Sequence, residues 1–195
     1  FCKSELSTIV VKDNKKHFFD KKIYKEFGSL GFLGITINGY GAANASNIAY
    51  GLVAKEFESI DSSYRSAISV QSSLVIHPIY YYGSEEQKQK YLPKLASGEF
   101  MGSFALTESN AGSDVLAATT TAKLNKEKTH YILNGQKIYI TNASWADICI
   151  TFAMVDNKYT AFIIEKDYEG FIVGAEEKKL GIKGSSTATL FFENC

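Results

Sequence analysis

The apolar residues of this chain change their spacing once, just after Glu99. Before that point they recur three or four apart; after it they alternate. The first spacing lines one stripe of a helix and the second lines one face of a strand. The reading is therefore α+β: a helical domain over residues 1–101, incomplete at its start, then an antiparallel, barrel-like β domain over residues 102–195.

Within the first part, Ile23 and Phe27 share a helix face from Asp20 to Gly28, and Gly39 to Asn47 reads as a loop. Residues 1–17 carry a β-branched run, Thr8 to Lys12, then a Lys/Asn-rich stretch to which no role is assigned. From Asn47 to Ile60 the residues Ile48, Leu52, Val53 and Phe57 form one apolar side of an amphipathic helix. Asp61-Ser-Ser63 offers side-chain oxygens to the free N–H groups of a new helix, expected to be buried nearly all round and to end at His77-Pro78. Ser84-Glu-Glu-Gln87 is a capping box that opens a short helix, disturbed by Pro93 and closed by Gly98. Strands are expected at 100–106, 117–124, 129–133, 136–141, 147–155, 159–165 and 188–193, with Asn134-Gly135 as a hairpin turn.

Lysine plus arginine and aspartate plus glutamate both number 21, so no charge excess points to nucleic acid or a membrane surface. No apolar run is long enough to span a bilayer. Cys2, Cys149 and Cys195 are too few and scattered for a disulfide framework, which fits a reduced, intracellular protein. His17, His77 and His130 lack metal-ligand spacing. Neither Phe1 nor Cys195 reads as a natural terminus, and the chain is taken as a fragment.

Two stretches suit a ligand. Phe104-Ala-Leu-Thr-Glu-Ser-Asn-Ala-Gly-Ser-Asp114 begins as a strand and opens at Thr107 into small and polar residues. Such a loop can turn backbone N–H groups and the hydroxyls of Thr107 and Ser113 toward an anion, although the same composition also serves a plain turn. Tyr139-Ile-Thr-Asn142 sets an aromatic ring near a hydroxyl, which suits a flat heterocycle needing stacking and one directed hydrogen bond. Glu108, in a loop that would meet an anion, would be an odd base, since the two charges repel. Arg65 is the sole arginine and lies in an otherwise apolar helix. A guanidinium grips a carboxylate with two parallel bonds, so an anion is expected beside it, either a ligand or an internal Asp61 or Glu58.

The order Leu-Thr-Glu-x-x-x-Gly-Ser-Asp114, Leu133-Asn-Gly-x-Lys137, Ile140-Thr-Asn142 resembles the flavin-binding middle domain of the acyl-CoA dehydrogenases. The resemblance extends to Tyr82 through Pro93 and to Lys179 through Thr187, and covers roughly residues 20–195. It implies FAD contacts from Phe104, Ala105, Leu106, Thr107, Gly112 and Ser113, with Tyr139, Ile140 and Thr141 against the isoalloxazine and Thr141 near its N5. Ser113 would also touch the CoA portion. The family's catalytic glutamate belongs to a C-terminal helical bundle that this chain lacks, so no catalytic base is named in it.

Asp61 through Ile79 looks most like the glutaryl-CoA dehydrogenases, which implies that Arg65 and Ser66, with Glu58 beside them, hold the substrate's free carboxylate. Leu180 to Ser186 is closer to short- and branched-chain relatives, and Ser109 stands where proline is usual. The implied reaction is α,β-dehydrogenation of glutaryl-CoA with decarboxylation to crotonyl-CoA. The alternatives are an uncharged short or branched acyl chain, or a non-catalytic protein with the flavin fold. The resemblance further implies a homo-tetramer, electron-transfer flavoprotein as acceptor, and a mitochondrial matrix or bacterial cytoplasmic location.

Overall fold

The computed structural model describes residues 1–16 and 19–195, so His17 lies outside the described residues. The chain forms two compact units: Phe1–Met101 with Lys178–Ser185, and Gly102–Glu177 with Ser186–Cys195.

The first unit is helical. A π-helical turn, Cys2–Leu6, leads into α1 (Ser7–Lys15) and is followed by α2 (Lys22–Ser29) and α3 (Asn47–Glu58). Then come α4 (Ser62–Ser69), α5 (His77–Tyr82) and α6 (Glu85–Ala96). Local side-chain chemistry sets several of the starts. Ser46 accepts from Ala49 N, Asp61 accepts from Ser63 N at 2.7 Å, and Ser84 with Gln87 forms the full capping box. His77-Pro78 does not end the helix. The π-helical stretch Val70–Ile76 joins α4 to α5, with Pro78 in the first turn of α5, where a missing N–H costs least. Its wider turns also ease the fit of a proline ring. Pro93 likewise sits inside α6 without breaking it.

Aromatic rings fill the core of this unit: Tyr24 and Phe27 are fully buried, and Phe27 meets Phe57 edge-on at 4.9 Å. Gly28 lies against the backbone at Ser97, where a Cβ would overlap the Ser97 carbonyl. Gly28→Ala is expected to lower the stability of the unit by about 2 kcal/mol, because backbone cannot yield as a side chain can; chemical denaturation of both proteins checks this. The apolar side of α3 is only partly used. Phe57 is buried and Val53 half-buried, but Ile48 and Leu52 stay exposed, because only the last turns of the helix reach the aromatic core.

The second unit is a seven-stranded sheet of β1 (Gly102–Ala105), β2 (Thr121–Leu124), β3 (Tyr131–Thr141), β4 (Ile148–Val155), β5 (Lys158–Glu165), β6 (Phe171–Glu176) and β7 (Thr187–Phe192). Most pairings are antiparallel, but β1 and β2 both run parallel to β4, so the sheet is mixed. The whole of one β4 edge is taken by β5. The other edge is therefore shared: β1 covers Ile148 to Thr151 and β2 takes over at Met154.

Asn134-Gly135 is not a hairpin turn. It lies inside β3, where the strand leaves β2 and begins to pair with β7. Asn134 instead exchanges two hydrogen bonds with Asn194. Gly135, at φ +152°, lets the strand pass against Thr120, whose side chain occupies the place a Cβ would need. The tight β4–β5 turn falls at Asp156-Asn157, both left-handed. The strand β6 goes beyond the expectations above; its outward faces leave no alternating pattern to read.

Candidate functional site: a pinned loop and a bulged strand

The shared edge of β4 defines the site. The chain leaves that edge after Ala105 and returns to it at Thr120, whose carbonyl accepts from Met154 N at 2.8 Å. Everything between is an excursion held at both ends. Glu108 and Ala111 exchange backbone bonds at 3.1 Å, forming a tight turn that leaves Ser109 and Asn110 at an exposed tip. Asn110 Nδ2 donates to the Ala117 carbonyl and closes the rest of the loop on itself.

Beneath the loop lies an ion pair. Lys137 Nζ stands 2.7 Å from Glu108 Oε1, and the two side chains are only 0% and 3% exposed. Lys137 also donates to the Leu106 carbonyl, while Glu108 accepts from Thr119 N, Thr119 Oγ1 and Thr120 N. Burial by itself would raise the Glu108 pKa, but the bonds from Lys137, Thr120 and Thr119 outweigh it and hold the carboxyl at about 2. Burial lowers the Lys137 pKa, and Glu108 opposes that in part. Sequence reading treated Glu108 only as a poor base and missed the pair. The available signal was parity: Leu133 and Lys137 are four apart on one strand and face the same way, so a lysine falls at an inward position.

One residue further on, β3 departs from regular pairing. Its register with β7 shifts between Lys137 and Ile140, and Ile138 N turns to the Thr107 carbonyl at 2.9 Å. Tyr139 sits in this bulge at φ +57°, and the residue is 65% exposed. A left-handed backbone at an aromatic residue costs on the order of 1–3 kcal/mol and persists where the surroundings impose it. Here buried Lys137 and Ile140 flank it. Asn142, also left-handed, ends the strand by donating to the Gly102 carbonyl.

The predicted ligand residues of this unit therefore separate into groups. Thr107 is tied to the bulge that carries Tyr139, with half-buried Thr141 two residues on. Gly112 and Ser113 are exposed on the outer loop, and Leu106 is half-buried beside the ion pair. Phe104 packs edge-on against Phe152, and the side chains of Ala105 and Ile140 are in the core, which leaves those two only backbone to offer.

In the helical unit, Arg65 Nε donates to Glu58 Oε2 at 2.7 Å, and Ser62 Oγ donates to Glu58 Oε1 at 2.6 Å. These bonds, Ser62 first and Arg65 second, lower the Glu58 pKa. The Arg65 and Glu58 side chains are 34% and 46% exposed, so solvent screens the pair and it contributes about 1 kcal/mol at most. Among the described residues, no other acceptor is bound by the Arg65 fork. Ser66 is half-buried next to it. Among the described residues, no cluster of His, Cys, Asp or Glu could hold a metal ion and no helix is long and apolar enough to cross a membrane.

Residues 1–99 match the family described as acyl-CoA dehydrogenase, N-terminal domain, and residues 103–195 match acyl-CoA dehydrogenase, middle domain. The chain belongs to the acyl-CoA dehydrogenase family. A probable acyl-CoA dehydrogenase of Bacillus subtilis is 44% identical over 94% of this chain and 31% of its own length. A short-chain-specific acyl-CoA dehydrogenase of Clostridium acetobutylicum is 40% identical over the whole chain and 52% of its own length. A glutaryl-CoA dehydrogenase of Mycobacterium smegmatis, solved with FADH2, superposes with a TM-score of 0.96 at 38% identity, over all of this chain and 50% of that one. The chain thus spans about half the length of most acyl-CoA dehydrogenases it matches.

Members of the family bind FAD. The donor set here fits such a group: an exposed ring in a fixed bulge, and hydroxyls at Thr107, Ser113 and Thr141 that no other side chain takes among the described residues.

Proposed function

We propose that this chain is the flavin- and acyl-CoA-binding part of a dehydrogenase that removes hydrogen from the α and β carbons of an acyl-CoA. The observation that carries the reading is Tyr139, an exposed aromatic held in a left-handed bulge and tied through Ile138 to Thr107. FAD supplies the hydride acceptor when bound. Tyr139 offers a flat apolar face for its ring system, Thr141 a hydroxyl donor two residues further along the strand, and Thr107 and Ser113 hydroxyls along the loop. Phe104, Ala105, Leu106, Gly112 and Ile140 contribute backbone. The chain's task is orientation: it fixes the plane of the ligand before the acyl group arrives. In this reading electrons leave to an electron-transfer flavoprotein, and the protein is a tetramer.

The acyl chain we propose is glutaryl, with loss of its terminal carboxylate as carbon dioxide to give crotonyl-CoA. Arg65 would hold that carboxylate, with Ser66 as a second donor and Glu58 fixing the guanidinium through Nε. Ser113 would meet the CoA portion. A second reading has its own support: the Arg65–Glu58 bond is already an internal ion pair, as an enzyme for an uncharged short or branched chain would have. Dye-coupled turnover of the full-length protein separates them. With glutaryl-CoA as substrate, Arg65→Ala is expected to lower kcat/KM at least about a hundredfold and to leave butyryl-CoA turnover within about threefold, since a charge-assisted bidentate contact is worth several kcal/mol. Equal losses on both substrates, or none on glutaryl-CoA, would favour the second reading.

A further inference from the structure

The buried ion pair occupies a particular place in the site. Glu108 and Lys137 belong to the two segments that carry the candidate flavin ligands, the loop after β1 and the strand β3. Lys137 also binds the segment around its partner, and Glu108 also binds the far end of its own loop. Lys137 Nζ reaches past Glu108 to the Leu106 carbonyl, and Glu108 gathers the returning end of the loop through Thr119 and Thr120. The next residue of each segment continues the connection, through the bond from Ile138 N to Thr107 O. Leu106, Thr107 and Glu108 are therefore all fastened to Lys137 and Ile138, the residues that lead into Tyr139. Few of the remaining loop contacts reach β3; the tip at Ser109 and Asn110 is exposed and bonded within the loop.

A dry core does not require a charged pair at this place, since two apolar side chains of similar volume fill the same space at comparable or greater stability. What an ion pair adds is a geometric constraint. A buried ammonium must keep both the carboxylate and the carbonyl within hydrogen-bond reach or be left partly unpaired, whereas an apolar contact tolerates sliding. The neighbouring bulge makes sliding consequential. With the register of β3 against β7 already broken at Lys137, a shift of the lysine would carry Tyr139 with it.

We propose that Glu108 and Lys137 are the positioning residues of the site: they lock the loop and the bulged strand in one register, so that Thr107, Tyr139 and Thr141 meet the flavin together. The proposal rests on the flavin reading above and goes beyond it in saying what holds the site in shape. Neither group touches the ligand. Both act through the backbone segments they fasten.

The test is the double variant Glu108→Gln/Lys137→Met in the full-length protein, alongside wild type. Glutamine keeps an acceptor for Thr119 and Thr120, and methionine fills the lysine's volume without charge, so no unpaired ion is left inside. Three quantities are measured: the thermal midpoint of the apoprotein, the FAD dissociation constant from quenching of flavin fluorescence, and the visible circular dichroism of bound flavin. Amide exchange at Ile138 is followed in the apoprotein. The expected result is an apoprotein melting near wild type, with FAD bound at least tenfold more weakly. The flavin dichroism should change shape, and exchange at Ile138 should be at least tenfold faster. Wild-type affinity and dichroism in a folded double variant would overturn the positioning role and leave the flavin reading intact. Loss of affinity in proportion to lost stability would also overturn it, since the pair would then act only on folding. A wild-type protein that takes up no FAD would overturn both.

Discussion

Replacing Lys137 alone by methionine is expected to lower the stability of the β unit by about 3–5 kcal/mol, the usual cost of stranding one member of a buried ion pair. That is a large share of the roughly 5–15 kcal/mol by which domains are stable. Glu108 would keep its bonds from Thr119 and Thr120 but lose the cation that balances its charge in a 3% exposed position. The pH dependence gives the mechanism away. The wild-type carboxyl titrates at about 2 when folded, below its ordinary value of 4.5. Its contribution is therefore fully present above about 4.5 and is lost as pH falls toward 2, by the linkage between a depressed pKa and folding. Once Glu108 is protonated, nothing charged remains for Lys137 to balance. The stability gap between wild type and Lys137→Met should be widest near pH 7 and close as the pH approaches 2. Urea unfolding of both proteins at pH 7, 4 and 2.5 checks this, and a gap independent of pH would mean that the loss is one of packing.

Tyr139→Gly is expected to move stability and flavin binding in opposite directions. Glycine adopts φ near +57° without the clash a Cβ brings, which recovers about 1–2 kcal/mol. A looser unfolded chain takes back about 0.4–1 kcal/mol, so the apoprotein should melt at or slightly above the wild-type temperature. Tyr139 is 65% exposed, so little packing is lost with its ring. The FAD dissociation constant should rise at least about tenfold, since an aromatic surface under a planar base is worth about 1–3 kcal/mol. Tyr139→Phe keeps both ring and strain and should bind FAD within about threefold of wild type. Calorimetry of the apoproteins with a flavin titration decides the matter: a glycine variant that binds FAD normally would make the bulge a structural accident.

What could be read in the sequence was what is decided within a few residues. The helix starts at Asp61 and Ser84 follow from side-chain oxygens meeting N–H groups two or three residues away. The change of spacing after Glu99 separates helices from strands because period is a property of the local backbone. Long-range context governed the rest. Asn134-Gly135 carries the strongest local hairpin signal, yet the same tolerance for unusual backbone serves here to let β3 pass Thr120 and change partners. Pro78 stops a regular helix but not one entered through π turns. Parallel pairing of β1 and β2 with β4 depends on which strands share an edge, and nothing in either strand encodes that.

The candidate site divides the same way. Thr107, Tyr139 and Thr141 could be put forward as ligand residues from residue type and order, and an acid beside Arg65 was one of two partners expected for it. The strain at Tyr139 and the Glu108–Lys137 pair were not read: parity marks Lys137 as inward, but which acid meets it is decided where segments about thirty residues apart come together.

The central claim is that the loop after β1 and the bulged strand β3 form a flavin site serving acyl-CoA oxidation. Anaerobic titration of the purified full-length protein with acyl-CoA, followed by visible absorbance, tests it most directly. The account predicts a yellow protein carrying one FAD per chain whose visible band bleaches on adding glutaryl-CoA, and a Tyr139→Gly protein that purifies largely colourless yet folded. A wild-type protein that stays colourless when FAD is supplied, or whose flavin band is unmoved by either glutaryl-CoA or butyryl-CoA, would contradict it.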